Sequence, residues 1–181
     1  MVDDIEFIED GHIYLKAGII IPSVSQILKK IFSNKYDGIP TRILKSKSEY
    51  GSKVHNIIEC IETNKEYKID NVYIDESIKQ YNKIKKENNL QVISQEEIVC
   101  YKGIYAGRYD MIANVNGEEC LLDIKTTAIC DKEYLSWQLT MYEMAIGVKF
   151  KKLYCLWLPK GGIGKLIEIE RKNYEEIEKI L

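Results

Sequence analysis

An α/β fold with one central mixed sheet flanked by helices, and with an N-terminal β-hairpin, is what this 181-residue chain predicts, and three observations lead there. Apolar residues recur at helical spacing in three long stretches. Short strand-like runs lie between and after them, bounded by Asn-Gly, Pro and Gly. The composition is 45% hydrophobic and 30% charged, with three prolines and no low-complexity tract, which suits one domain over 1–181 with its own core.

The elements follow in order. Residues 5–21 hold two apolar stretches around Asp10-Gly11, a hairpin signature. Pro22-Ser23-Val24-Ser25-Gln26-Ile27-Leu28 opens a helix with Ser23 or Ser25 as N-cap and apolar residues at 24, 27, 28 and 31. The turn Asp37-Gly38-Ile39-Pro40 closes an N-terminal portion, 1–40, ahead of a main body, 41–181. Helical spacing runs over 41–63, with a break expected near Gly51, and again over 74–88 in a basic amphipathic helix. Three strand runs, 92–101, 105–115 and 119–125, form an antiparallel meander, the last two joined at Asn116-Gly117. A helix over 132–147 ends at Gly147. Strands over 152–158 and 165–170 flank Pro159-Lys160-Gly161-Gly162, and a short helix starts at Asn173.

The 26 Lys+Arg against 28 Asp+Glu give a net charge of −2, so a polyanion would have to meet a local basic surface. The start MVDDIEFIED lacks a signal-peptide layout and no apolar run is long enough for a membrane span, so a soluble, cytoplasmic protein with no membrane partner is expected. Five scattered cysteines include no C-x-x-C pair and read as reduced thiols packed as small core residues. Gly161-Gly162-Ile163-Gly164-Lys165-Leu166 fails as a phosphate-binding loop, because Leu166 stands where a Ser or Thr would bind Mg²⁺, and reads as a hairpin turn.

The chemistry concentrates at Asp110 and Asp123-Ile124-Lys125. Residues two apart on a strand share a face, so Asp123 and Lys125 project together. A hairpin turning at Asn116-Gly117 sets Asp110 opposite Asp123. Convergent carboxylates repel unless a cation neutralises them, and a hard divalent ion does so while leaving room for water and phosphate. The bland alternative is a cross-strand ion-pair cluster, which the apolar Ile112 and Leu121-Leu122 beside it make less expected. His55 flanks the apolar stripe at 54, 57, 58 and 61, with Glu59 one turn on and within reach of its ring. Gln138 and Tyr142 share one helix face.

Taken together these segments resemble the PD-(D/E)XK nuclease superfamily, in particular its RecB-type exonuclease branch, which includes phage exonucleases and the mitochondrial genome maintenance exonuclease. The matching pieces run in the family's order: the P-S-V-S-Q-I-L segment at 22–28, Gly51-x-x-x-His55-x-x-x-Glu59, Tyr105-Ala106-Gly107-Arg108-Tyr109-Asp110, Asp123-Ile124-Lys125-Thr126-Thr127 and Gln138-x-x-x-Tyr142.

The resemblance implies a restriction-endonuclease-like core. It implies one or two Mg²⁺ or Mn²⁺ ions held by His55, Asp110, Asp123 and the Ile124 carbonyl, with Lys125 orienting or deprotonating the attacking water. Glu96 or Glu97 would join the site, and alternation along the strand, with spacing to Asp110, favours Glu96. Gln138, Tyr142, Lys53 and Arg108 would contact nucleic acid. The iron–sulfur relatives associated with CRISPR systems carry three cysteines after the core; only Cys155 follows Tyr142 here, so no cluster is expected. The expected activity is exonucleolytic hydrolysis of DNA, at single strands or free ends, in phage or bacterial replication, recombination or repair, with any helicase or recombination partner on a separate chain. An endonuclease with the same site, and a nuclease-fold binding module that does not cleave, are the rivals.

Overall fold

The structure, a computed structural model, describes residues 5–33, 35 and 38–181. The chain opens with β1 (Ile5–Ile8), β2 (Ile13–Lys16) and β3 (Ile19–Ile21), paired antiparallel in that order. The turn at Asp10-Gly11 lies where expected, but the expected hairpin has a third strand. Ala17 and Gly18 take φ of 49° and 76°, the left-handed pair that closes a tight hairpin, so the chain reverses again at once.

Helix α1 (Val24–Ile31) is capped by Ser23: its Oγ accepts from Gln26 N at 3.1 Å, and Gln26 Oε1 accepts from Ser23 N at 2.9 Å. Val24 and Leu28 are fully buried in the main core, which ties α1 to the elements that follow it. Helix α2 (Thr41–Glu62) runs unbroken through Gly51, against expectation. A Cβ at Gly51 would stand 3.1 Å from Thr126 Oγ1, so the glycine serves a close approach, whose gain outweighs its cost of about 1 kcal/mol in helix propensity. Asp37, of the turn expected at 37–40, lies outside the described residues. Helix α3 (Val72–Glu87), capped by Asn71, packs on α2.

The meander is more broken than its sequence pattern. Strands β4 (Gln91–Gln95), β5 (Ile98–Tyr101), β6 (Tyr105–Arg108) and β7 (Met111–Val115) form a long bent hairpin in which β4 pairs β7 and β5 pairs β6. At the bend Glu96 takes φ of 54°, while Glu96 N still donates to Asp110 O at 3.2 Å and Tyr109 N to Glu97 O at 3.3 Å. The expected turn at Asn116-Gly117 leads into β8 (Glu118–Lys125), antiparallel to β7. Then come α4 (Lys132–Ile146), closed by Gly147 at φ 76°, β9 (Lys152–Trp157), β10 (Lys165–Ile169) and α5 (Tyr174–Glu178). Residues 158–164 are the hairpin connection between β9 and β10.

The central mixed sheet has the order β10-β9-β8-β7-β4, with β8 and β9 parallel. Alternation sorts its side chains: Cys120, Leu122 and Ile124 pack under α2 and α3, and Leu121 packs toward α1 and α4. A smaller core joins β1–β3 to the β5–β6 ribbon through Tyr14, Ile21 and Ala106. Among the cysteines, all free, Cys120 and Cys155 are buried as expected, while Cys60, Cys100 and Cys130 are half-buried. No helix of the described residues is long and apolar enough to cross a membrane.

Candidate metal centre

Strand β8 ends in Asp123-Ile124-Lys125, and the register Met111↔Leu122 brings Asp110, one residue before β7, level with Asp123. Asp110 Oδ2 accepts from Ile124 N at 2.6 Å, which fixes one carboxylate at the end of the sheet. Because Gly51 lets α2 press against Thr126, the next turn of that helix carries His55 to the same place. Its Nε2 lies 3.0 Å from the Ile124 carbonyl oxygen and its Nδ1 3.6 Å from Asp110 Oδ1. These contacts orient the ring. Glu59 does not; its carboxylate stands 3.6 Å from Lys65.

The bend after β4 supplies the third ligand-type side chain. Glu96 faces inward, so the expected choice between Glu96 and Glu97 falls to Glu96, while Glu97 accepts from Tyr109 OH at 2.7 Å. One ligand atom each from His55, Glu96 and Asp110 lies within 4.8 Å of the others. Arg108 Nε, 2.9 Å from Glu96 Oε2, offsets part of the charge.

Asp123 stands apart from that trio. Its side chain shares a face with Lys125, whose Nζ lies 2.5 Å from Oδ2 as an ion pair, and this buried carboxylate has no further donor. Gln138 Oε1 is likewise buried and without a hydrogen bond among the described residues. Gln138 lines the cleft that opens over the site, and Asp123, which does not, pairs with Lys125, which does.

Burial, and then the Asp110 charge on top of it, pushes Glu96 up to about 7. Burial likewise raises Asp123 to about 6, against the opposing pull of Lys125. Burial works against the Lys125 ammonium, but Asp123 and Asp110 outweigh it and hold its pKa above the ordinary lysine value. Burial, with Asp110 and Asp123 nearby, keeps the Tyr142 phenol well above its usual range, so it remains a neutral O–H.

The cleft is about 900 Å³ and takes in Ser25, Lys47, His55, Glu96, Arg108, Asp110, Ile124, Lys125, Thr126, Gln138 and Tyr142. Of the residues expected at nucleic acid, Gln138, Tyr142 and Arg108 line it. Lys53 does not: it is 57% exposed on another face of α2, near Asp70. Glu9 and His12, from the turn between β1 and β2, also line the cleft and carried no signal in sequence, since nothing local relates that turn to a site a hundred residues away.

The donors suit a hard divalent cation: carboxylates, a backbone carbonyl and an imidazole, beside a buried carboxylate whose one partner is an ammonium. His55, Asp110, Glu96 and the Ile124 carbonyl are the residues that could hold it, with Asp123 behind them.

No family model matches the chain, and no curated protein matches it. Among solved structures, one titled "Crystal structure of SSO0001" is similar over 85% of this chain and 81% of that one, at 19% identity and a TM-score of 0.36.

Proposed function

We propose that the chain is a nuclease of the PD-(D/E)XK type with a restriction-endonuclease-like core, hydrolysing phosphodiester bonds in DNA with Mg²⁺ or Mn²⁺. The observation that carries this reading is the convergence of His55, Glu96 and Asp110 at the cleft, with a buried Asp123–Lys125 ion pair beside them and Gln138 Oε1 in the lining left without a hydrogen bond. A buried polar group without a hydrogen bond costs stability, and a ligand site is where such a cost is kept.

A bound divalent ion would act as a Lewis acid on the phosphate and lower the pKa of water. The protein's own groups do the rest. Lys125, held as an ammonium, donates to a phosphate oxygen or to the attacking water and serves as an orienting cation rather than a base. Arg108 holds one oxygen of Glu96 and so steadies a carboxylate that could hold the ion. Tyr142 O–H and the Gln138 amide face the cleft as neutral contacts for the strand. The expected substrate is single-stranded DNA or a free end, taken up in phage or bacterial DNA metabolism, with any unwinding partner on another chain.

The test is incubation of end-labelled linear single strands and of circular DNA with Mg²⁺, Mn²⁺ or EDTA, alongside Asp123→Ala. Metal-dependent loss of linear DNA, reduced about a thousandfold or more in the variant, is expected. Cutting of circles would make the protein an endonuclease, and no cleavage with any metal would leave a binding module.

A further inference from the structure

The turn between β1 and β2 is the wall of the cleft that the hydrolysis proposed above does not use. Glu9 and His12 line the cleft that also holds His55, Asp110 and Lys125. The turn is carried there by the small core, in which Tyr14 and Phe7 of the N-terminal sheet pack with Ala106, Ile98 and Cys100 of the β5–β6 ribbon. His12 is exposed, yet its ring is fixed. Its Nε2 lies 3.3 Å from Tyr14 OH, and the ring meets Phe7 edge-on with centroids 5.0 Å apart and Tyr14 at 5.4 Å. Its φ of 52° is one that histidine accepts more readily than most residues. Arg108 links the two walls, lying 5.6 Å from the Phe7 centroid while it pairs with Glu96.

A cleft of about 900 Å³ is larger than a lone phosphate needs and sits near the top of the roughly 300–1,000 Å³ range of small-ligand pockets. What a nucleotide brings besides phosphate is a flat base. An exposed ring locked by two aromatic neighbours offers a stacking surface at low entropic cost, and only an unpaired base presents a free face to it. The geometry points to His12 as a base-contacting residue that selects single-stranded nucleic acid, with Phe7 and Tyr14 setting its ring. This rests on the nuclease reading and deepens it by naming a side chain, outside the hydrolytic groups, that selects the form of the substrate.

The experiment is fluorescence anisotropy of a labelled short single strand, and of a fully paired blunt-ended duplex, with the full chain in Ca²⁺. It compares the natural protein with His12→Asn, which tolerates the left-handed backbone and loses the ring, and thermal unfolding of both confirms the fold. The expected result is single-strand affinity about tenfold weaker in the variant, the size of one lost base stack, with duplex affinity unchanged. Unchanged single-strand affinity, an equal loss on both forms, or no single-strand binding by the natural protein would each overturn the inference. Metal-dependent cleavage by the natural protein, measured separately, decides the nuclease reading, so the two can fail independently.

Discussion

Glu143 and Asp123 are equally hidden, each 1% exposed, and are provided for in opposite ways. Glu143, on α4, has as many donors as a carboxylate has lone-pair sites. Oε1 accepts from Phe150 N at 2.8 Å and Arg171 Nη2 at 2.9 Å, and Oε2 accepts from Arg171 Nε and Tyr174 OH, both at 2.5 Å. That clamp ties α4 to the segment before β9, to the segment after β10 and to α5. Asp123, on β8, has one partner, the Lys125 ammonium at Oδ2, and no further donor. A fold able to satisfy one buried carboxylate fully leaves the other open where a cleft meets further ligand-type groups. The difference separates a carboxylate that holds the structure from one held ready by it.

Removing each should therefore cost different things. Glu143→Ala strands the Arg171 guanidinium and should destabilise the protein by about 3–5 kcal/mol, read as a fall of roughly 10 °C in melting temperature. Asp123→Asn keeps the shape but takes the carboxylate from the Lys125 ammonium, leaving Asp110 as the remaining charge nearby, so metal-free stability should fall by about 1–2 kcal/mol, less than the Glu143→Ala loss because one ion pair goes where four hydrogen bonds went. Comparable losses in the two melting curves would erase the distinction and make Asp123 structural.

The second contrast is in pH. Asp123 and Glu96 bind a proton more tightly folded than unfolded, because burial raises both. Their contribution is fully present below the ordinary carboxylate range and is lost as pH rises through about 6 to 7. Metal-free protein should thus lose on the order of 5 kcal/mol between pH 4 and pH 8 from these groups, a loss smaller in Asp123→Asn. Added Mn²⁺ should raise the melting temperature at pH 8 and hardly at pH 5, where protons occupy the same oxygens. A stabilisation by Mn²⁺ that is equal at both pH values would place the ion elsewhere.

The smallest effect is expected at Lys53. Its 3.5 Å pair with Asp70 is solvent-exposed, so Lys53→Ala should move stability by under about 0.5 kcal/mol and leave strand affinity as it was. A clear loss of DNA binding in that variant would extend the nucleic-acid surface around α2, beyond the cleft.

Much of this was legible in the chain before folding. The caps at Ser23 and Gly147, the turn at Asn116-Gly117 and the periods of the helices are local, so the elements could be read one by one. The pairing of Asp110 with Asp123 was legible too, since a short turn sets register by counting. What misled was also local in form: Gly51 resembled a helix break because the Thr126 that it accommodates lies elsewhere in sequence. Glu59 looked like the partner of His55 because a helical turn was the nearest distance that sequence could measure.

The sequence by itself determined the mixed α/β class, the faces of the strands and the residue types able to hold a cation, because periodicity and hairpin register act over a few residues. Only the tertiary structure decided that Glu96 rather than Glu97 turns inward, that Lys53 looks away, that His12 walls the cleft and that Glu143 is satisfied while Asp123 is not. Those outcomes depend on a bend in one hairpin and on the seating of α2 and the N-terminal sheet against strands far along the chain. Such placements are set by packing between elements, and no local pattern encodes them.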